Sequence, residues 1–123
     1  MNQPFLSVVV PTYKRYGLLQ RHLKDLCQQT LSRDEFEVIV VQDSEPDEDY
    51  AKTEKLIATL PYQCRLINTG MNKGPAYARN QGAGIAQGKV LLFTGDDCLP
   101  SPMLFWQHLY EYNKDKVFPK AVQ

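Results

Sequence analysis

Two adjacent carboxylates follow a short apolar run late in the chain. The run Val90–Phe93 is too brief for a helix and is typical of a buried strand, and Asp96 and Asp97 come soon after it. Neighbouring carboxylates repel each other unless a divalent cation or a hydroxyl-rich ligand satisfies them. Their hard oxygen atoms suit Mg²⁺ or Mn²⁺, with waters and phosphate oxygens filling the remaining positions. The pair indicates a binding site for a metal-bound diphosphate, although an Asp-Asp pair alone more often lies in a solvated turn.

Polar residues also follow the other apolar runs. Pro11-Thr12-Tyr13-Lys14-Arg15 ends the first run, Gln42-Asp43-Ser44 ends the second, and a glycine-rich segment at 68–75 follows the third. In a parallel sheet, the carboxyl ends of the strands meet at one edge, where the strand-to-helix loops open. We therefore expect all of these segments, together with 95–98, to form a single mixed site of carboxylates, cations and glycines.

The glycine-rich segment precedes a predicted helix that begins at Pro75, a first helical position that tolerates a missing amide proton. Asn72 and Gly74 would place backbone amides near an anion there, and Arg79 follows one turn later. Ordinary structural roles stay open at these positions. Arg79 is equally well explained as a solvated arginine, and Tyr13 as a packed residue of a plain turn.

The elements that must position these residues alternate along the chain. Short apolar runs predict strands, and apolar residues at helical spacing predict amphipathic helices between them. Such alternation predicts an α/β fold with three layers, in which helices cover both faces of a mainly parallel, Rossmann-like sheet with right-handed crossovers. The predicted strands are 5–10, 36–41, 64–68 and 89–94, and the predicted helices are 18–28, 50–60, 75–87 and 102–113.

Composition limits the class of protein. The chain has 123 residues, enough for one core, and its 14 basic and 14 acidic side chains give no net field that would attract nucleic acid or an anionic membrane. No apolar stretch approaches the ~20 residues of a membrane span. The three cysteines are odd in number and widely spaced, and they form no Cys-x-x-Cys motif, which indicates a reducing compartment. We predict a cytoplasmic protein without an integral membrane segment or a nucleic-acid partner.

Several other residues favour ordinary structural interpretations. His22 and His108 lack metal-ligand spacing and are predicted to be partly exposed helix residues. Cys98 has no histidine partner and is interpreted as a small space-filling residue. Trp106 is interpreted as helix packing, and the acidic run 45–49 as mostly a solvated loop.

Four segments resemble, in order and spacing, the nucleotide-binding half of family 2 glycosyltransferases, which have the GT-A fold. The likeness covers about residues 5 to 110, and each motif alone is a weak signal. The segments are SVVVPTYKR at 7–15, EVIVVQDS at 37–44, NKGPAYARNQG at 72–82 and LFTGDDCLP at 92–100.

This resemblance implies roles for individual residues. A nucleotide sugar of the UDP or GDP type would occupy the site, with Arg79 near its diphosphate, Asp96 near its ribose or sugar, and Asp97 on the metal. Asp43 would stand in the base-binding loop. The remaining residues that the resemblance places in the nucleotide-sugar site are Pro11, Thr12, Tyr13, Arg15, Gln42, Asn72 and Gly74.

The sequence departs from the family pattern at two positions. Gln42-Asp43-Ser44-Glu45 stands where Asp-Asp-Gly-Ser is usual, so the residue that the resemblance gives to the base is the neutral Gln42. Gly95 stands where the family often has a third acid, which leaves the metal to Asp97. Family members also carry an acceptor-binding half with a general base, and Glu111 and Asp115 are poor candidates for that base. We therefore expect residues 1–123 to be a single domain truncated before the acceptor-binding half.

Two functions from different classes follow. The first is a glycosyltransferase that binds a nucleoside-diphosphate sugar through Mg²⁺ or Mn²⁺ and transfers the sugar to an acceptor hydroxyl, with the acceptor unknown. The second is a non-catalytic module of the same fold that acts by assembling with a partner or as a homo-oligomer. A nucleotidyltransferase would need a glycine-rich basic loop after the first strand, and Pro11–Arg15 contains no glycine.

Overall fold

The computed structural model describes residues 3–96, 101–115 and 121–122. Its strands form one parallel sheet with the order β3-β2-β1-β4-β5. The strands are β1 (Leu6–Thr12), β2 (Phe36–Gln42), β3 (Gln63–Asn68), β4 (Val90–Phe93) and β5 (Ala121–Val122). The predicted α/β fold with a mainly parallel sheet is confirmed.

In the described residues, four α-helices connect the strands. They are α1 (Tyr16–Asp25), α2 (Glu48–Ile57), α3 (Pro75–Ile85) and α4 (Leu104–Asp115). Short 3₁₀ turns at Leu26–Gln28 and Arg33–Glu35 complete the connection between α1 and β2. Within the part of the chain given above, no helix has both the length and the apolar character needed to cross a membrane.

The helices cover both faces of the sheet. On one face, Val8 and Val10 belong to a core that includes Leu23 of α1, Leu56 of α2 and Phe105 of α4. On the opposite face, Val9, Ile39 and Val41 form a second core with Ala78 of α3. Because β1 and β2 are buried on both faces, the middle of each strand is an unbroken apolar run, 8–11 in β1 and 38–41 in β2, rather than an alternating pattern. The three layers are thus α1, α2 and α4 on one face, the sheet, and α3 on the other face.

Close packing of α3 on the sheet depends on a small residue. A Cβ atom at Gly82 would lie 2.5 Å from Cγ1 of Val9 and 3.1 Å from Cγ2 of Val41, whereas one at Gly84 would meet nothing within 4 Å. Val9 and Val41 are fully buried and stiff at χ1, so they cannot easily move aside. Gly82 therefore lets α3 approach β1 and β2, which sets the position of the helix that borders the site.

A buried polar cluster ties the sheet to the carboxyl end of α3, and we call it the Glu37 cluster. The Glu37 carboxylate is fully buried and accepts hydrogen bonds from Ser7 Oγ at 2.6 Å, Arg65 Nη2 at 2.7 Å and the Gln87 amide at 2.7 Å. Arg65 Nη2 also donates to the Ile85 carbonyl at 2.8 Å. The cluster joins β1, β2 and β3 to the segment after α3, at the amino ends of the strands.

Three differences from the predicted elements have physical causes. α1 begins at Tyr16 rather than at residue 18, because the chain turns sharply at Lys14. α2 begins at Glu48 rather than at residue 50, because the Asp47 side chain caps it by accepting from the Tyr50 amide. β5 was not expected, because a two-residue strand is too short to show any periodicity.

Candidate functional site

A cleft of about 510 Å³ opens at the carboxyl edge of the sheet. Its walls come from the ends of β1, β2 and β4, from the loop after β3 and from the first turns of α3. This is the edge at which open parallel sheets bind ligands. The lining residues are Pro11, Thr12, Tyr13, Arg15, Asp43, Asn72, Gly74, Pro75, Arg79, Phe93, Thr94, Gly95 and Asp96.

The cleft gathers most of the residues that the sequence assigned to a site. Of these, Gln42 does not line the cleft, and Asp97 lies outside the described residues together with Cys98. Pro75 and Gly95 belong to segments that were expected at the site, although no role was given to either. Phe93 and Thr94 are not part of the predicted site, although they shortly precede Asp96 and could have been found by that proximity. The roles of all these residues toward a ligand stay predictions.

Asp96 is held in the wall of the cleft by Thr12 at the end of β1 and by Arg15, which comes directly before α1. Its carboxylate is buried, with 5% of the residue exposed. Oδ2 accepts a hydrogen bond from Thr12 Oγ1 at 2.8 Å, and Oδ1 lies 3.4 Å from Nη1 of Arg15. The ion pair is long and Arg15 is more than half exposed, so it adds little stability. A carboxylate has about four lone-pair positions, so Asp96 can accept further hydrogen bonds from a ligand.

A left-handed residue shapes the turn after β1. Lys14 has φ of 51°, and among the described residues it is the sole non-glycine residue with positive φ. This conformation costs roughly 1 kcal/mol and turns the chain between Tyr13 and Arg15, both of which line the cleft. The Tyr13 side chain stays 41% exposed, which leaves its ring available to a ligand.

Asp43 is bound to the loop formed by residues 69–74. Oδ1 accepts from Thr69 Oγ1 at 2.7 Å and from the Lys73 amide at 3.0 Å. Oδ2 accepts from the Gly74 amide at 2.8 Å and from Asn72 Nδ2 at 3.2 Å. Asp43 thus receives donors from four residues of a single loop.

These contacts change the acidity of Asp43. Burial acts to raise the pKa of Asp43, but hydrogen bonds from Lys73, Thr69 and Gly74 and the positive charge of Lys73 together hold it below its usual value. A lowered folded-state pKa means that the ionised carboxylate stabilises the fold above its unfolded-state pKa of about 3.9. That stabilisation is lost as the pH falls through the folded-state pKa.

The Gln42 side chain makes hydrogen bonds within the protein and does not line the cleft. Its Nε2 atom lies 2.9 Å from Ser44 Oγ and 2.9 Å from Asp47 Oδ1, and donates to both. Asp47 Oδ1 also accepts from the Tyr50 amide at 3.0 Å and so caps α2. The structure therefore places Gln42 beneath the start of α2 and gives no support to its predicted contact with a base.

Arg79 is a cation of the cleft whose guanidinium has no hydrogen-bond or ion-pair partner in the described part of the chain. It projects from α3, which begins at Pro75 as predicted, directly after Gly74 with its φ of 100°. No hydrogen bond or ion pair joins its guanidinium to another residue of 3–96 or 101–111. Arg15, by contrast, is partly engaged by Asp96. Arg79 can therefore offer its planar set of donors to an anion.

His22 is buried next to a residue that lines the cleft, so the prediction that it is partly exposed is wrong. The residue is 1% exposed, and its Nε2 atom lies 3.1 Å from Oγ1 of Thr94, which lines the cleft. His22 and Leu23 follow Leu19 by three and four residues, and all three lie on the buried face of α1. That spacing was present in the sequence and could have identified the position as buried.

Two cysteines, Cys27 and Cys64, lie within the described residues. Cys27 and Cys64 are free thiols. Burial raises the pKa of Cys64 to about 12, so it is a protonated thiol at neutral pH rather than a nucleophile.

The side chains that could hold a metal are few. In residues 3–96 and 101–111 no group of three or more His, Cys, Asp or Glu side chains is placed to bind a metal ion. Asp96 is the buried carboxylate of the cleft with lone pairs to spare, and Asp97 follows it in sequence. Such a sparse set of oxygen donors suits a cation that is completed by water and phosphate oxygens.

The fold and the cleft define an α/β domain that binds its ligand at the carboxyl edge of a parallel sheet. Residues 7–118 match the family model described as glycosyl transferase family 2. The chain belongs to this family, and the resemblance seen in its four motifs is confirmed.

Relatives and solved structures agree with this membership. The chain is 34% identical over 102 residues to validoxylamine A glucosyltransferase of Streptomyces hygroscopicus subsp. jinggangensis, an alignment that covers 80% of this chain and 23% of the relative. The structure is similar to S. aureus TarS 1-349 in complex with UDP, with a TM-score of 0.79 and 27% identity, covering 89% of this chain and 32% of that one.

A third similarity is to the mannosyltransferase PcManGT of Pyrobaculum calidifontis in complex with GDP-Man and Mn²⁺. The TM-score is 0.74 and the identity 28%, covering 83% of this chain and 30% of that one. The chain thus spans between about a fifth and a third of the length of these proteins. The matches confirm the GT-A type of fold.

Proposed function

We propose that the cleft binds a nucleoside-diphosphate sugar, and that the protein transfers this sugar to an acceptor hydroxyl. The observation that supports the proposal most is the composition of one cavity, which combines a buried, partly satisfied carboxylate at Asp96, an exposed aromatic ring at Tyr13 and the guanidinium of Arg79, which no residue of 3–96 or 101–111 binds. A nucleotide sugar offers a matching hydroxyl group, phosphate and base. The complexes of TarS with UDP and of PcManGT with GDP-Man add support.

Each of these side chains has a proposed task. Arg79 would pair with the diphosphate, since a guanidinium binds phosphate oxygens through parallel N–H donors. Asp96 would accept hydrogen bonds from ribose or sugar hydroxyls, because Thr12 and Arg15 leave part of its carboxylate free. Tyr13 would lie against the base or the ribose. Thr12 and Arg15 would keep the Asp96 carboxylate oriented.

A divalent cation, Mg²⁺ or Mn²⁺, is part of the proposal. Asp97 would bind it, with Asp96 beside it, and the oxygen donors of this pair fit such an ion. The Mn²⁺ in the PcManGT complex supports this assignment. When bound, the cation would neutralise the charge that develops on the departing diphosphate, a Lewis-acid effect worth several kcal/mol.

Transfer itself is proposed for a protein with more residues than these 123. No general base for the acceptor hydroxyl is assigned to the cleft, and Glu111 is an exposed residue of α4 that does not line it. Because the chain spans a minor part of each relative, we propose that an acceptor-binding half completes the active site. A cytoplasmic location is also proposed, with free Cys27 and Cys64 as its support.

Calorimetric titration with UDP and GDP, each with and without Mn²⁺, tests the proposal. We expect at least one nucleotide to bind, and Mn²⁺ to lower its dissociation constant roughly tenfold or more, the equivalent of one charge-assisted contact. Asp97→Ala should abolish the effect of Mn²⁺, whereas the exposed Asp34→Asn serves as the matched control.

The opposite outcome would favour the non-catalytic module. In that case neither nucleotide would bind more tightly with Mn²⁺ than uridine or guanosine does, and Asp97→Ala would change nothing. A stable oligomer in the same samples would strengthen that alternative.

A further inference from the structure

One buried polar side chain lies against the cleft and has no task in the proposed function. His22 is 1% exposed, and its Nε2 atom lies 3.1 Å from Oγ1 of Thr94, a half-buried residue that lines the cleft. Its neighbours on the buried face of α1 are Leu19 and Leu23. Packing alone would favour a third leucine there, because burying an imidazole costs free energy that hydrogen bonds must offset. The contact with Thr94 therefore gives a physical reason for a histidine at this position.

The direction of the Thr94 side chain follows from the sheet. The Thr94 amide donates to the Val9 carbonyl at 3.1 Å, which continues the pairing of β4 with β1. Successive side chains of a strand point to opposite faces, and Phe93 packs into the core on the α3 face. Thr94 accordingly turns to the α1 face, where it meets His22. The backbone and the imidazole together fix the hydroxyl at the end of β4.

The Thr94 hydroxyl keeps the capacity for a further hydrogen bond. A threonine hydroxyl has one proton to donate and two lone pairs. His22 uses one of these, and no other residue of 3–96 or 101–111 makes a hydrogen bond to the hydroxyl. Whichever atom carries the proton between Nε2 and Oγ1, the hydroxyl can still bind a group in the cleft that Thr94 lines. Because the hydroxyl is already oriented, binding costs it less conformational entropy than it would cost a freely rotating group.

We propose that the Thr94 hydroxyl binds an oxygen atom of the nucleotide sugar, and that His22 is a positioning residue that fixes the orientation of this hydroxyl. This inference rests on the proposed function. It adds a binding group two residues before Asp96, the carboxylate proposed for the ribose or sugar hydroxyls. His22 itself does not line the cleft and acts through Thr94.

Two pairs of variants separate this role from a purely structural one. Thr94→Val removes the hydroxyl at nearly constant shape, and Thr94→Ser keeps it. His22→Leu removes the ring nitrogens, and His22→Gln keeps an amide nitrogen that can reach the position of Nε2. Thr59→Val is the matched control, because the Thr59 hydroxyl also makes a hydrogen bond but lies on an exposed residue after α2, outside the cleft.

Calorimetry gives the dissociation constants for UDP or GDP, whichever the wild-type protein binds more tightly, and for UDP-glucose or GDP-mannose correspondingly. We expect Thr94→Val and His22→Leu each to weaken binding roughly three- to tenfold, the effect of one neutral hydrogen bond. Thr94→Ser, His22→Gln and Thr59→Val should stay within about twofold of the wild type. The double variant Thr94→Val/His22→Leu should lose no more than Thr94→Val alone, because His22 acts through the hydroxyl.

The two kinds of ligand also locate the bound oxygen. Equal losses in Thr94→Val for the nucleoside diphosphate and the nucleotide sugar place the oxygen on the nucleotide. A loss for the nucleotide sugar alone places it on the sugar. Either result supports the inference.

Nuclear magnetic resonance of the histidine rings gives a measurement that does not depend on stability. The chain has two histidines, so His22→Gln assigns both ring signals, and His108 on α4 does not line the cleft. We expect the nucleotide to shift the ¹⁵Nε2 resonance of His22 in the wild-type protein and to leave that of His108 unchanged. The shift at His22 should disappear in Thr94→Val.

Several results would overturn the inference. Among them are unchanged affinity in Thr94→Val, and losses that add in the double variant, since additive losses are typical of two separate structural effects. An unshifted His22 resonance in saturated wild-type protein would also contradict it, and this measurement requires no core variant to fold. If the wild-type protein bound neither nucleotide, the proposed function would fail and this inference with it. If it bound one while Thr94→Val and Thr94→Ser behaved alike, the inference alone would fail.

Discussion

Replacing Glu37 with glutamine is expected to lower the free energy of unfolding by about 3 kcal/mol or more. The carboxylate is fully buried at the amino end of β2 and accepts from Ser7, Arg65 and Gln87. Glutamine keeps the shape of the side chain but removes the negative charge opposite Arg65. Its amino group would face one of the donors that the carboxylate now accepts from. Arg65 Nε is already buried without a partner in the described structure, so the guanidinium has little alternative compensation.

Urea unfolding followed by circular dichroism measures this effect. Glu54→Gln, an exposed substitution on α2, is the matched control and should stay within about 0.5 kcal/mol of the wild type. A loss below about 1 kcal/mol in Glu37→Gln would mean that the Glu37 cluster adds little to the fold, as replaceable buried ion pairs do.

The second large effect concerns the cleft. Asp96→Asn is expected to raise the dissociation constant for a nucleoside-diphosphate sugar by roughly ten- to a hundredfold, because hydrogen bonds to a charged acceptor contribute about 1.5–3 kcal/mol. Asparagine can still accept from Thr12 Oγ1, which now holds the carboxylate at 2.8 Å, so the fold should be nearly unaffected. The variant therefore separates ligand binding from stability.

Calorimetric titration with UDP-glucose and GDP-mannose, alongside thermal unfolding, measures the two properties. Asp34→Asn, on the exposed 3₁₀ turn Arg33–Glu35, is the control for loss of one negative charge. Unchanged affinity in Asp96→Asn would remove Asp96 from the proposed contact with ribose or sugar.

The architecture could be predicted from the sequence because the patterns of both strands and helices are local along the chain. Doubly buried strands appear as apolar runs, and the helices between them show their own spacing. Grouping the polar segments at one edge then followed from the geometry of parallel sheets, which is why Thr12, Arg79 and Asp96 were assigned to one site. The cleft does bring these three residues together.

What the sequence could not provide were the partners of individual side chains. Gln42 and Asp43 are neighbours, and successive residues at a strand end point in opposite directions, so only coordinates reveal which one borders the cleft. Glu37 looked like one polar residue in an apolar strand. Its partner Arg65 is 28 positions away, and the sheet register that joins them is not readable from either segment.

Amide chemical-shift mapping tests the central claim most directly, because it locates the ligand in this 123-residue chain. ¹⁵N-labelled protein would be titrated with UDP and with GDP in the presence of Mg²⁺. The account predicts that the largest shifts occur at Thr12, Tyr13, Arg79 and Asp96. Largest shifts at the Glu37 cluster, on the opposite edge of the sheet, or no shifts at millimolar nucleotide would contradict it.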